Sequence, residues 1–102
     1  MQKKLIKINL KSEELLEAAS KLKVLGHPIR ISIIQLLEKQ VRMNVTEIFK
    51  ALRIKQAIAS IHLNNMQNNN LLVSDKEGKN TYYSVAQDEI TQAVNLILNL
   101  KK

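Results

Sequence analysis

Three features of this 102-residue sequence predict a mostly α-helical fold carrying one small β-hairpin, an α+β domain. Apolar residues recur at helical spacing in several stretches, each bounded by a start or stop signal such as Ser12, Gly26, Pro28 or Asp88. The stretch Thr46–Leu71, TEIFKALRIKQAIASIHLNNMQNNNL, reads as two helices separated by a break at Arg53, Ile54 and Lys55. Finally, Leu71-Leu72-Val73-Ser74 and Thr81-Tyr82-Tyr83-Ser84-Val85 flank the charged turn DKEGKN, the pattern of two short strands.

Taken in order, Met1–Lys11 mixes Lys with Leu5, Ile6, Ile8 and Leu10 and fits an arm, a short strand or a helix lead-in. Ser12 is an N-cap candidate, and Glu13 and Glu14 suit the positive end of the helix dipole. Leu15, Leu16, Ala19, Leu22 and Leu25 carry the stripe of this first helix, residues 12–25, to its stop at Gly26. The chain restarts at His27-Pro28, because a proline without an N–H costs nothing in a first helical turn. Ile29, Ile33, Leu36 and Leu37, widened by Ile31 and Ile34, give a face broad enough for a central helix.

Gln40–Val45 is a connector, with Met43–Val45 as a very short strand. Thr46 is the expected cap of the next helix, whose apolar face is Ile48, Phe49 and Leu52. In the helix after the break, Ile58, Ala59, Leu63 and Met66 are expected inward, and Gln56, Ala57, Ser60, Ile61, Asn64 and Asn65 outward. Asn68-Asn69-Asn70 closes it. Gly78 supplies the positive φ of the turn at 75–80. Asp88 is the expected cap of a last helix, 88–100, with Ile90, Ala93, Val94, Ile97 and Leu98 on one side. The order is helix, helix, short strand, helix-turn-helix over 46–68, β-wing over 71–85, helix. It is a winged helix-turn-helix with an added helix at each end, and residues 1–102 form one domain.

The formal charge of +7 favours a polyanionic partner. The chain has no cysteine, which excludes disulfides, thiolate metal sites and thiol redox sensing. No apolar run reaches the ~20 residues of a membrane span, and Met1–Leu10 lacks a secretory leader's apolar core. A cytoplasmic protein without membrane contact is expected. Two glycines cannot build a phosphate-cradling loop, and two scattered histidines do not make a catalytic constellation. No enzyme activity is expected.

The outer face of the second hairpin helix is rich in amides and small side chains instead of the Lys and Glu of an ordinary solvated face. Amides donate and accept toward base edges, and small residues permit close approach to a DNA groove. An ordinary amphipathic hairpin fits this stretch equally well.

The pattern Leu22-x-x-Leu25-Gly26-His27-Pro28-x-Arg30-x-x-Ile33-Ile34-x-Leu36-Leu37 resembles the second-helix signature of the ArsR-type bacterial transcriptional repressors. Ile54-Lys55-Gln56-Ala57-Ile58-Ala59-Ser60-x-His62-Leu63-x-x-Met66 is similar to that family's recognition-helix motif. Leu71-Leu72-Val73, Gly78-Lys79 and Tyr82-Tyr83 resemble its wing, so the likeness spans about Leu15–Leu100. The chain departs from the pattern at Ile61 and Asn64, and in the acidic run Asp75-Lys76-Glu77.

The resemblance implies a homodimer that presents two recognition helices to double-stranded DNA. Lys55, Gln56, Ala57, Ser60, Ile61 and Asn64 would then meet the major groove, with Gln56 and Ser60 the best base-edge or phosphate contacts. In the wing, Lys76, Lys79 and Asn80 would reach phosphates or the minor groove. Arg30 has two open roles, a phosphate contact or a brace between the second helix and the hairpin. Leu15, Leu16, Leu22, Val94, Ile97 and Leu98 exceed what one small core needs and are the dimer-interface candidates.

Metal sensing in the family uses cysteines near the hairpin's first helix, or Asp, His and Glu along the last. Arg42–Glu47 offers no thiolate, and the last helix offers Asp88 and Glu89 without a histidine, so no metal or cofactor is expected. The sequence leaves the effector unnamed. It also leaves a rival function open, a winged-helix protein-interaction module without specific DNA binding.

Overall fold

A computed structural model describes residues 5–100; Met1–Lys4 and Lys101–Lys102 lie outside the described residues. Of the expected N-terminal arm, Leu5–Lys11 is therefore the part that can be compared, and it forms neither helix nor strand. Five helices and three strands follow: α1 Glu13–Leu25, α2 Pro28–Gln40, β1 Met43–Asn44, α3 Val45–Leu52, α4 Gln56–Asn68, β2 Leu72–Glu77, β3 Asn80–Val85 and α5 Asp88–Leu98. The sheet has the antiparallel order β1-β3-β2. This is the winged helix-turn-helix with terminal helices that the sequence predicts.

The local reasons are legible residue by residue. Ser12 caps α1 by accepting from the Leu15 N–H. At the start of α2 the His27 side chain accepts from the Ile29 N–H, and Pro28 occupies the first turn. Asn69 and Asn70 end α4, Asn70 taking a φ of 60° that an amide residue tolerates.

α2 is the hub, packed against α1, α3, α4, α5 and β3. It sends Ile33 and Ile34 into a core shared with Ile48 of α3, Leu63 and Met66 of α4, and Leu71 and Leu72 at the start of the wing. α1 buries no residue completely, and α5 buries only Val94. The terminal helices are attached to this core and leave Leu15, Leu16, Leu22, Leu96, Ile97 and Leu98 exposed.

Four expectations change. The cap of α3 is Asn44, not Thr46. Its Oδ1 accepts from the Glu47 N–H at 2.8 Å, while Glu47 Oε1 accepts from the Asn44 N–H at 2.9 Å. This reciprocal box satisfies two free donors at once, and Thr46 falls inside the first turn. Asn44→Ala should cost about 1 kcal/mol of stability in urea unfolding; an unchanged midpoint would show that the box contributes nothing.

The last helix starts after Gln87, which makes no side-chain cap, and Asp88 is its first residue. On α4, Ile58 is 39 % exposed, and His62 fills the inward position beside Leu63. Ala59, His62, Leu63 and Met66 fall at i, i+3, i+4 and i+7, so helical geometry turns Ile58 out despite its hydropathy. Last, the strands run to Glu77 and from Asn80, which shortens the turn to Gly78-Lys79. Gly78 has a φ of 60°, the positive value a tight two-residue hairpin needs at that position.

Candidate nucleic-acid interface

The turn between α3 and α4 sets the geometry of the site. Arg53 adopts the left-handed conformation at the end of α3, and the Ile54 N–H returns to Phe49 O. Three residues suffice to reverse the chain, so α4 crosses α3 with its N-terminal half exposed. Lys55, Gln56, Ala57, Ile61 and Asn64 are exposed, while Ser60 and Asn65 are half-buried instead of fully outward.

The wing folds beside that half-helix. Gln56 and Ser60 from α4 line one polar cleft with Lys79, Asn80 and Thr81 of the wing and Asn44 and Thr46 at the start of α3. Four residues proposed from sequence as contacts, Gln56, Ser60, Lys79 and Asn80, are thus brought to one place. Thr46 and Thr81 are additions. Because Asn44 does the capping, the Thr46 hydroxyl is left for the cleft.

Strand alternation explains the acidic run. Asp75 pairs with Tyr82 and Glu77 with Asn80 on one face of the hairpin, whereas Lys76 pairs with Thr81 on the other. Lys76 therefore shares its face with the cleft-lining Thr81, while the acids share theirs with Tyr82 and Asn80. Arg42 covers the acids, 3.9 Å from Asp75 and 3.3 Å from Glu77, with its guanidinium 4.1 Å from the centre of the Tyr82 ring. Arg42 has no place in the sequence reading, because nothing local links it to residues more than thirty positions on.

Of the two roles open for Arg30, the bracing contacts are the ones it makes. Its Nε donates to His62 Nδ1 at 2.9 Å, and a terminal nitrogen donates to Val24 O at 3.0 Å. Lys55, Ala57, Ile61 and Asn64 lie outside the cleft on the exposed α4 surface.

The dimer candidates divide. Leu15, Leu16, Leu22, Ile97 and Leu98 are exposed, by 40 to 70 %. Val94 is 4 % exposed and belongs to the core, where it floors an apolar groove between α1 and α5. Leu22, Leu25, Ile31, Ile97 and Leu98 form its walls. No group of His, Cys, Asp and Glu that could hold a metal occurs among the described residues. None of their helices is long and apolar enough to cross a membrane.

An exposed recognition helix, a wing beside it and a shared polar cleft define the winged helix-turn-helix class of DNA-binding regulators. Residues 27–74 match the family described as "Bacterial regulatory protein, arsR family". The chain is 32 % identical over 79 residues to the transcriptional repressor PagR of Bacillus anthracis, covering 78 % of this chain and 79 % of PagR. An uncharacterized helix-turn-helix-type transcriptional regulator of Methanocaldococcus jannaschii is 30 % identical over 81 residues, covering 79 % of this chain and 91 % of its own.

Among solved structures, the crystal structure of PagR superposes with a TM-score of 0.75 at 31 % identity, over 82 % of this chain and 95 % of that one. A homodimeric winged helix-turn-helix DNA-binding domain from Mycobacterium bovis gives 0.76 at 24 % identity, over 92 % and 87 %. The chain belongs to the ArsR family of bacterial transcriptional regulators, and it is not an enzyme.

Proposed function

We propose that the chain acts as a homodimeric, sequence-specific repressor that covers a promoter by binding a palindromic operator in the cytoplasm. The observation that carries this reading is the convergence of Gln56 and Ser60 with Lys79 and Asn80 in one exposed cleft. Gln56 and Ser60 present acceptors and donors to base edges, with Lys55, Ala57, Ile61 and Asn64 alongside in the major groove. Lys76, Lys79 and Asn80 hold the neighbouring phosphates, which fixes register without adding sequence choice. Two copies joined through their terminal helices place two recognition helices about one helical turn (~10 bp) apart. The whole chain, 1–102, serves as one unit. That PagR is a transcriptional repressor supports repression over activation.

The rival reading, a protein-interaction module, is favoured by Ile61, an apolar side chain 56 % exposed on the recognition helix. One experiment separates them. Duplexes selected from genomic fragments are titrated over a range of salt with the wild type, Lys79→Ala, and the pair Gln56→Ala with Ser60→Ala. DNA reading predicts affinity that falls steeply with salt, at about one unit of log–log slope per phosphate contact. Lys79→Ala should weaken selected and random duplexes alike, while the paired change should narrow the gap between them. A flat salt response, or no binding, sinks the DNA reading and leaves the rival.

A further inference from the structure

One hydrogen bond pins the middle of the recognition helix to the hub of the fold, and it joins two basic side chains. Apart from the Tyr83 phenol, His62 is the only polar side chain buried among the described residues, 8 % exposed between Ala59 and Met66 on the inner face of α4. Its Nδ1 accepts from Arg30 Nε at 2.9 Å. A guanidinium has donors only, so this contact exists only while Nδ1 is bare and the ring proton sits on Nε2. The same guanidinium donates to Val24 O near the end of α1, so one side chain ties α1, α2 and α4 together.

His27 stands against His62, the ring centroids 4.5 Å apart and tilted by 50°. Its own Nδ1 accepts from the Ile29 N–H at 3.1 Å and caps α2. Two imidazoles and a guanidinium thus share one junction, and both imidazoles serve as acceptors.

We propose that Arg30 and His62 form a positioning pair that holds α4 in its DNA-reading orientation, and that protonation of His62 releases it, making DNA binding acid-sensitive. The functional consequence rests on the DNA-binding reading above. A proton on Nδ1 removes the acceptor from a bond that Arg30 cannot reverse and sets two positive charges face to face. Gln56 and Ser60 lie on the same helix, less than two turns away, and move with it.

Among the described residues, no acid forms an ion pair with His62 to offset that repulsion. Arg30 from α2 and His27 from the α1–α2 junction are the charged and titratable groups that face His62. On α1, Glu17 and Lys21 line the cleft at the far end of α4, beside Asn68 and Asn69. On β2 the acids turn to Arg42, and Ser74 meets Gln67. On α3, Glu47 is held by the Asn44 cap. Burial, then the charges of His27 and Arg30, hold His62 below the ordinary value of 6.5. The sign follows: an unfolded chain protonates residue 62 first as pH falls, so the folded arrangement is fully favoured above 6.5 and loses ground below it.

The test follows duplex affinity at constant salt from about pH 8 to about pH 5.5, the histidine range. The probe is a duplex pool enriched on the wild type from random-sequence DNA. Wild-type affinity should fall toward acid by up to about tenfold at about pH 5.5, the limit set by a ring that charges below 6.5. His62→Gln, whose amide oxygen still accepts from Arg30 but does not titrate, should show no such fall. Added positive charge alone would strengthen binding to DNA as pH falls, so the direction itself is diagnostic. Parallel profiles for the two proteins would overturn the proposal.

Imidazole nitrogen NMR and amide exchange on the free wild type give readouts that need neither DNA nor a variant. The proposal requires His62 to hold its proton on Nε2 at neutral pH and α4 exchange to quicken as the ring charges. An Nδ1-protonated ring, or exchange indifferent to its titration, overturns it. If the wild type enriches no duplex while both NMR signatures appear, the switch stands and the DNA reading falls.

Discussion

Leu63→Ala should cost the fold about 3 kcal/mol, within the range of roughly 2 to 5 for a buried leucine emptied to alanine. Leu63 is fully buried within the cluster of Ile33, Ile34, Ile48 and Met66, where α2, α3 and α4 meet. Little is free to collapse into the space, because α2, α3 and α4 also pack on one another. At this chain length the loss corresponds to a fall of very roughly 15 °C in melting temperature. Ile58→Ala is the internal control. That side chain is 39 % exposed, so its truncation should cost less than about 1 kcal/mol. Thermal and urea unfolding at matched protein concentration decide the matter. Equal costs at 58 and 63 would return α4 to the orientation suggested by hydropathy alone.

Leu98→Asp should split the proposed dimer and reduce operator affinity by on the order of 100-fold, while leaving each copy folded. Leu98 is 49 % exposed on the rim of the apolar groove between α1 and α5, next to Ile97 at 64 % and Leu22 at 70 %. A carboxylate there stays hydrated in a lone copy but is stranded against the partner's apolar surface in a pair. The affinity loss follows from linkage: two half-sites engaged by one dimer gain effective concentration, commonly worth a factor of ~10² to ~10⁴, that separate copies forfeit. Sedimentation velocity and circular dichroism report the two parts separately. A variant that still sediments as the wild type would remove α5 from the interface. Val94→Asp should behave differently and unfold the chain, because that side chain is 4 % exposed in the core.

The helices and their order are readable from the sequence because their signals are local. Ser12, Gly26 and Pro28 act on the backbone beside them, and the two strands around Gly78 differ in composition from everything before them. The α3 cap is also a local signal: Asn44-Val45-Thr46-Glu47 carries the spacing of a capping box, whereas Thr46 is a good capping residue by type alone. The inward position of His62 is set by spacing against hydropathy, so a polar residue there shows itself only through the helical period.

At the site, Gln56 and Ser60 could be placed on the outer helix by period, and Lys79 and Asn80 in the wing by the turn. Their meeting in one cleft depends on how the wing folds against α3, a long-range matter that no local pattern encodes. Arg42, the inward turn of Arg30 and the sorting of Lys76 from its acidic neighbours belong to the same class. Each depends on packing or register between segments far apart in sequence.

The contacts of Arg42 with the wing bear on association thermodynamics. Each is solvent-exposed and contributes little stability by itself. Together they hold a two-stranded hairpin, which would be a marginal structure alone, in one orientation against β1 and the body of the domain. The hairpin's conformational entropy is then surrendered during folding, not on meeting DNA. In the proposed complex, a wing ordered in advance would capture a phosphate with a smaller entropic loss, and the acids at its outer face, once satisfied by Arg42, would repel the duplex less. The most acidic stretch of the wing thereby becomes the device that keeps its basic tip ready.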